Sequence, residues 1–427
     1  MQERLLQFIW QFQYFNTRNL QTTNAESLTI LDVGQANKNQ GADFLQAKIK
    51  VGDTILAGNI ELHIKSSDWI LHRHSEDKNY QNVILHVVWE DDKNIPNTHF
   101  PTLELQHLVA SMMLKNYETL MNAKHFAPCE SFLPAVSTLQ WMIWKDRLLV
   151  ERLERKSLEI AELLRQTKND WSEVFWQILA KSFGAKINSD AFFQMAKSLP
   201  LHILAKQKNQ LNSLEALLLG QCGLLDGAFE NDYAKMLQRE YQYLSKKYRL
   251  KSAEQSPAFL RMRPQNFPTI RLAQLANLIY QSNHLFSKIK EAESYNALKS
   301  MLSVKANDYW NEHFTLKDEP HAAKPKQLGK AMIDVIIINT IVPVVFTYGK
   351  INEQESYKDK ALRWLSEIRA EENTIIQSWR NAGIACLSAF DSQALLELKN
   401  NYCAEKRCLD CAIGNGILKN QKNVLPL

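Results

Sequence analysis

Residues 41–92 read GADFLQAKIKVGDTILAGNIELHIKSSDWILHRHSEDKNYQNVILHVVWEDD, and the hydropathy rhythm of this stretch decides the fold. Between 44 and 51, Leu45, Ala47, Ile49 and Val51 alternate with Gln46, Lys48 and Lys50. Between 55 and 65, Ile60, Leu62 and Ile64 alternate with Glu61, His63 and Lys65. A period of two sends successive side chains to opposite faces, so both runs predict half-buried strands, joined by a tight turn at Gly52–Asp53. From Ser66 to about Tyr80 the pattern predicts a short helix or an irregular segment. The apolar, β-branched run Val83–Trp89 then predicts a central strand.

On the N-terminal side, Leu5, Leu6, Phe8, Ile9, Phe12 and Phe15 fall near helical spacing and predict an amphipathic helix. Glu3 sits in its first turn, where a carboxylate suits the helix dipole. Ser27–Val33 predicts a strand and Gly34–Gly41 a loop. Beyond about Pro101 the period changes to 3.6. Helices are expected over Leu103–Met121, Trp141–Gln166, Asp170–Phe183, Leu211–Leu219, Glu230–Tyr248 and Thr269–Ala292, with Asp170 and Glu173 as a start signal and Gly184 as a stop. Leu250–Pro268, with three prolines, is expected to be an extended crossing loop. Val335–Phe346, broken by Asn339, Thr340 and Pro343, is expected to be a buried, Pro-kinked helix too short to span a bilayer. The expected class is α+β: an αβββαβ domain over residues 1–100, then a large all-α domain over 101–427 ending in a cysteine cluster.

At 427 residues the chain exceeds the usual size of a single hydrophobic core. Its 45% hydrophobic and 23% charged residues are ordinary for a globular protein. The net charge of +5 permits nucleic acid as a partner without the dense basic stripe of a dedicated binder. The first residues, MQERLLQFIWQFQYF, have no basic leader, long apolar run or small-residue cleavage site, so a cytoplasmic location without a membrane partner is expected.

Residues 41–92 hold nine acidic and five basic residues, a local charge of −4, and four of the eleven histidines. An acidic, histidine-rich patch in a basic chain suggests a metal ion that meets an anionic partner. Glu61, His63 and Lys65 share one face of a strand, and Asp43 heads the neighbouring one. Asp43 and Glu61 are therefore candidate ligands for Mg²⁺ or Mn²⁺, which would polarise a phosphodiester and activate water. Lys65 or His63 would assist the nucleophile or steady charge. The alternative is that Glu61 and Lys65 form a solvated strand face. In SDWILHRHSEDKNY, His72 and His74 would point together on an extended segment and apart on a helix, and they are candidate metal or phosphate contacts. His86, inside an apolar strand, is expected to be a hydrogen-bonded structural group.

Near the C-terminus, YCAEKRCLDCAIG spaces Cys403, Cys408 and Cys411 as C-x4-C-x2-C. Two thiolates of a C-x2-C turn can face one metal, with Cys129 or Cys386 completing a site for zinc or an iron–sulfur cluster. Buried thiols between helices are the alternative. Arg261, Arg263 and Arg271 in RMRPQNFPTIR could bind phosphate or cap helix ends.

The αβββαβ order, with GADF and ELHIK as its two acidic motifs, resembles the PD-(D/E)XK restriction-endonuclease-like superfamily. That resemblance implies a divalent-metal-dependent nuclease or phosphodiesterase. His63 stands where the superfamily has lysine, and Lys65, one pleat further on, would have to replace it. GADFLQAKI, GNIELHIKSSDWILHRHSEDKNY, VILHVV, RPQNFPTIRLAQLA and YCAEKRCLDCAIG together resemble an uncharacterised bacterial family, domain of unknown function 2851, found mainly in Bacteroidetes. The leading expectation is a metal-dependent nuclease. The others are a catalytically inactive nucleic-acid-binding or assembly module, and a histidine-centred metal hydrolase of another substrate.

Overall fold

The computed structural model describes residues 1–419 apart from 97, 252 and 254. The chain is mixed α+β, with an N-terminal sheet of six strands followed by a large helical region. Its contacts divide it into two compact units. The first comprises 1–144, 381–383 and the segment from 398 onward; the second comprises 145–380 and 384–397. The boundary expected at residue 100 falls inside the first unit, and the C-terminal cysteine segment belongs to that unit as well.

In the first unit, α1 (Glu3–Gln11) buries Leu5, Leu6, Phe8, Ile9 and Trp10. Next come β1 (Leu28–Asp32), β2 (Gln35–Ala36), β3 (Phe44–Val51) and β4 (Thr54–Lys65). A short α2 (Asp68–Leu71) leads to β5 (Val83–Glu90) and β6 (Thr102–Glu104). The sheet order is β1-β3-β4-β5-β6, with β2 also paired to β3. β1/β3 and β3/β4 are antiparallel, whereas β4/β5 and β5/β6 are parallel. A parallel pair needs a crossover, and α2 with the turns after it supplies the one between β4 and β5.

Two features depart from the sequence reading. The alternation expected in β3 is out of phase at its start: Phe44 is buried and Leu45 is exposed. The β3/β4 register shifts between Phe44 and Ala47, and Gln46 takes a φ of 59°. A bulge of this kind flips every side chain on one side of it. β4 is also not half-buried: Ile60 and Leu62 are covered on one face, Glu61 and His63 on the other. β6 replaces the start of the helix expected from Leu103, and that helix, α3, runs over Ser111–Asn122.

α4 (Thr138–Gln166) carries the chain into the second unit, which is helical. Asp170 caps the helix Trp171–Phe183, accepting from the amides of Ser172 and Glu173. The single helix expected over 269–292 is two, Pro268–Gln281 and Leu285–Glu291, separated at His284, whose φ is 54°. The apolar run at 335–346 lies in a continuous helix, Lys330–Ile351, which is long and apolar enough by length and composition to cross a membrane and is mostly buried. Pro343 has no N–H to give the preceding turn, and the helix widens to a π turn at Ile337–Ile341 just before it.

Candidate metal centre

The first unit brings together Glu61, His63, His72, His74 and His86. Parallel register sets Glu61 of β4 opposite His86 of β5, two residues before His63. His63 Nδ1 lies 2.9 Å from His86 Nε2, and His63 Nε2 lies 3.2 Å from His72 Nδ1. Glu61 Oε1 is 3.5 Å from both His63 Nε2 and His74 Nε2. The ligand nitrogens of His63, His72 and His74 all lie within 4.8 Å of one another.

His72 and His74 converge by neither of the two routes considered from the sequence. α2 ends at His72, Arg73 turns left-handed with φ 57° and ψ 35°, and His74 opens a 3₁₀ turn. One left-handed residue between two right-handed turns swings His74 back beside His72. The loop is pinned from below by Trp69, which packs with Ala42, Val83, Ile95 and Phe100 and donates from Nε1 to Ser75 Oγ at 2.9 Å. Tyr80 stacks on His74, with ring centroids 3.8 Å apart.

Asp43 holds Glu61 in place. Its amide donates to Glu61 Oε2 at 3.0 Å, which leaves Oε1 to face the imidazoles. The Asp43 carboxylate accepts from Gln7 Nε2 at 2.8 Å and from the amide of Leu62 at 3.1 Å. Gln7, on α1, has no sequence signal beyond being a polar residue within an otherwise apolar helix face.

Burial dominates the electrostatics. It pushes the Asp43 carboxyl up to about 6. Burial, followed by the neighbouring Asp43 charge, pushes Glu61 up to about 9. Burial and then the adjacent imidazoles hold His63 down to about 2, and burial and then His74 hold His86 down to about 3. His74 is lowered in the same way. Burial therefore favours neutral imidazoles at His63, His74 and His86 beside a Glu61 that keeps its proton, and metal binding would have to expel that proton. His74 Nε2 and His86 Nδ1 are buried without a hydrogen-bond partner.

These distances suit one ion. With metal–nitrogen and metal–oxygen bonds of about 2.0–2.1 Å, the edge of a tetrahedron is about 3.3–3.4 Å. Three donor pairs, His63–His72 at 3.2 Å and Glu61 with His63 and with His74 at 3.5 Å, lie close to that edge. His86 would orient the His63 ring from behind, as the outer partners of metal-bound histidines do. His72 is exposed, so the cluster is open to solvent on its side.

The other expected residues fall elsewhere. Lys65 is outside the cluster, with Nζ 4.0 Å from Asp92 Oδ2 and half of its side chain exposed. Glu61 is 4% exposed, so the solvated-face alternative fits Lys65 and not Glu61. Arg261, Arg263 and Arg271 are in the second unit. Arg261 and Arg263 are exposed, whereas Arg271 is buried and its guanidinium donates to Gln274 and Asn266. Cys129, Cys403, Cys408 and Cys411 line a small cavity of the first unit, whereas Cys386 belongs to the second.

A comparison with protein families matches residues 3–374 to the family described as Protein of unknown function (DUF2851). No curated protein and no solved structure matches the chain.

Proposed function

The chain belongs to the DUF2851 family of proteins of unknown function, and from that starting point we propose that it is a metal-dependent hydrolase of phosphodiesters. Glu61, His63, His72 and His74 would hold the ion, with Asp43 and His86 orienting Glu61 and His63. The observation that carries this reading is the convergence of His63, His72 and His74, whose ligand nitrogens lie within 4.8 Å of one another, with Glu61 Oε1 3.5 Å from two of them. An imidazole-rich set suits zinc or a similar borderline metal better than Mg²⁺, which prefers oxygen ligands and retains several waters. The bound ion would supply Lewis-acid polarisation of a phosphoryl oxygen and activation of water.

The protein's own groups do the rest. Buried His63 and His86 stay neutral and keep their lone pairs for coordination and orientation. The Asp43 amide fixes Glu61 so that one oxygen serves the ion. The exposed side, at His72, is where substrate and water arrive. The phosphodiester assignment rests on the α1-β1-β3-β4-α2-β5 order, which resembles the endonuclease-like core, and on the +9 charge of the chain outside residues 41–92, which suits a polyanion. Lys65, paired with Asp92 rather than placed in the cluster, favours a second reading in which nucleic acid is bound and not cut.

The test uses full-length protein stripped of metal and resupplied with Zn²⁺, Mn²⁺ or Mg²⁺. Hydrolysis of bis(p-nitrophenyl) phosphate and of single- and double-stranded DNA and RNA is followed for wild type, His72→Ala and His74→Ala. Zinc-supported cleavage is expected, with each variant, having lost a direct ligand, binding zinc more weakly by at least the roughly 10–100-fold that loss of an outer partner costs. Equal rates for all three proteins in every metal would remove the proposal. Salt-sensitive binding without cleavage would move it to the second reading.

A further inference from the structure

We infer that the first unit carries a second, separate metal centre: an iron–sulfur cluster ligated by Cys129, Cys403, Cys408 and Cys411. All four thiols are free, three are buried and Cys403 is half-buried, and all four line the same small cavity. Three come from the C-terminal segment in C-x4-C-x2-C order, a spacing that also serves plant-type iron–sulfur ligation. The fourth comes from 274 residues upstream, just before the 3₁₀ turn Glu130–Ala135. Cys386 and Cys222 lie in the second unit and are not part of the set.

The local backbone is shaped for thiolates. Cys411 directly precedes the helix Ala412–Lys419, and the amides of Ile413 and Gly414 hydrogen-bond to its sulfur. Such N–H···S bonds stabilise the charged form that ligates metal. Gly414 lies against Cys408, where a Cβ would come within 2.3 Å of the Cys408 carbonyl oxygen. That close approach sets the C-x2-C loop against the helix start, and Cys408 and Cys411 both line the cavity that Cys129 and Cys403 also line.

The spread of the sulfurs selects the class of metal. A single zinc with bonds of about 2.3 Å needs sulfur–sulfur edges of about 3.8 Å. Among the described residues, the grouping that brings three donor atoms within 4.8 Å of one another is His63, His72 and His74, and no three cysteines do so. A core of several irons bridged by sulfide fills a wider gap than one ion and accepts one thiolate at each outer corner.

This centre and the histidine site share no residue, so either can fail alone. The full-length protein is purified under nitrogen and analysed for iron, acid-labile sulfide and zinc, before and after reconstitution with ferrous iron and sulfide. Brown protein is expected, with roughly two to four irons and as many sulfides per chain. Cys408→Ser and Cys411→Ser should lose most of the iron and the colour. Cys222→Ser, Cys386→Ser and His72→Ala should keep both. Colourless wild-type protein after reconstitution overturns the inference, as does stoichiometric zinc in place of iron. Iron retained in both Cys408→Ser and Cys411→Ser overturns it too, and the wild-type measurement decides even where a variant fails to fold.

Discussion

Glu61 divides its carboxyl between two tasks: one oxygen rests on the Asp43 amide and the other faces two imidazoles 3.5 Å away. Without a bound ion, burial keeps it protonated up to about pH 9. The unfolded chain gives up that proton near the ordinary carboxyl value, so the metal-free fold loses stability as pH rises from about 4.5 toward 9. Metal reverses the sign, because binding expels the proton and is favoured by alkali. Zinc affinity should therefore rise about tenfold per pH unit below 9 if one proton is released. Calorimetry in buffers of different ionisation enthalpy reads that proton directly, and Glu61→Gln should abolish the slope. A slope unchanged in Glu61→Gln would assign the proton elsewhere. The sequence placed Asp43 and Glu61 near each other, because alternation and a hairpin turn are local signals. It did not reveal that Lys65 leaves the cluster for Asp92, since that depends on where Asp92 ends up beyond β5.

At the level of elements, the segment between β4 and β5 makes the site, and its decisive residue is Arg73. A left-handed conformation costs a non-glycine residue about 1–2 kcal/mol. Here it is held by the packing of Trp69 below and by Tyr80 on His74. Valine is far less tolerant of that region, so Arg73→Val should weaken zinc binding about tenfold or more, whereas Arg73→Gly should preserve it. Zinc titration of the two variants checks this, and equal affinities would show that the turn does not set the convergence. Truncating Trp69 to alanine should cost about 3–5 kcal/mol and release the loop, seen as a lower unfolding midpoint and faster amide exchange over 68–80. Periodicity finds strands and long helices, which repeat a signal over many residues. A single positive φ in a non-glycine residue leaves no repeat, and neither does the bulge at Gln46 that rephases β3.

At the scale of the molecule, the first unit is closed by residues distant in the chain. Arg4 pairs with Asp410 at 2.6 Å, Tyr14 donates to Asn415 at 2.8 Å, and Ile413, Ile417 and Leu418 are buried. Each such aliphatic side chain contributes about 1.5–3 kcal/mol on burial, so their sum is comparable with a whole domain's margin. A chain ending after Glu397 should lose the calorimetric transition of the first unit while the second unit still unfolds cooperatively. An unchanged two-transition trace would show that the segment is dispensable. Composition and period could assign an α+β chain with a helical majority, yet they carry no information about which distant segments reunite, because burial partners leave no mark on local sequence. The return of residues 398–419 to the first unit has a consequence during synthesis. Residues 1–144 emerge first, but their closing segment follows only after some 254 further residues. At the usual pace of translation, about 5–20 residues per second, that is a wait of roughly 13–50 seconds before the closing segment of the first unit is available. Through that interval the apolar surface that Ile413, Ile417 and Leu418 later cover stays open, and the proposed cysteine centre could take up iron only after Cys403, Cys408 and Cys411 have emerged.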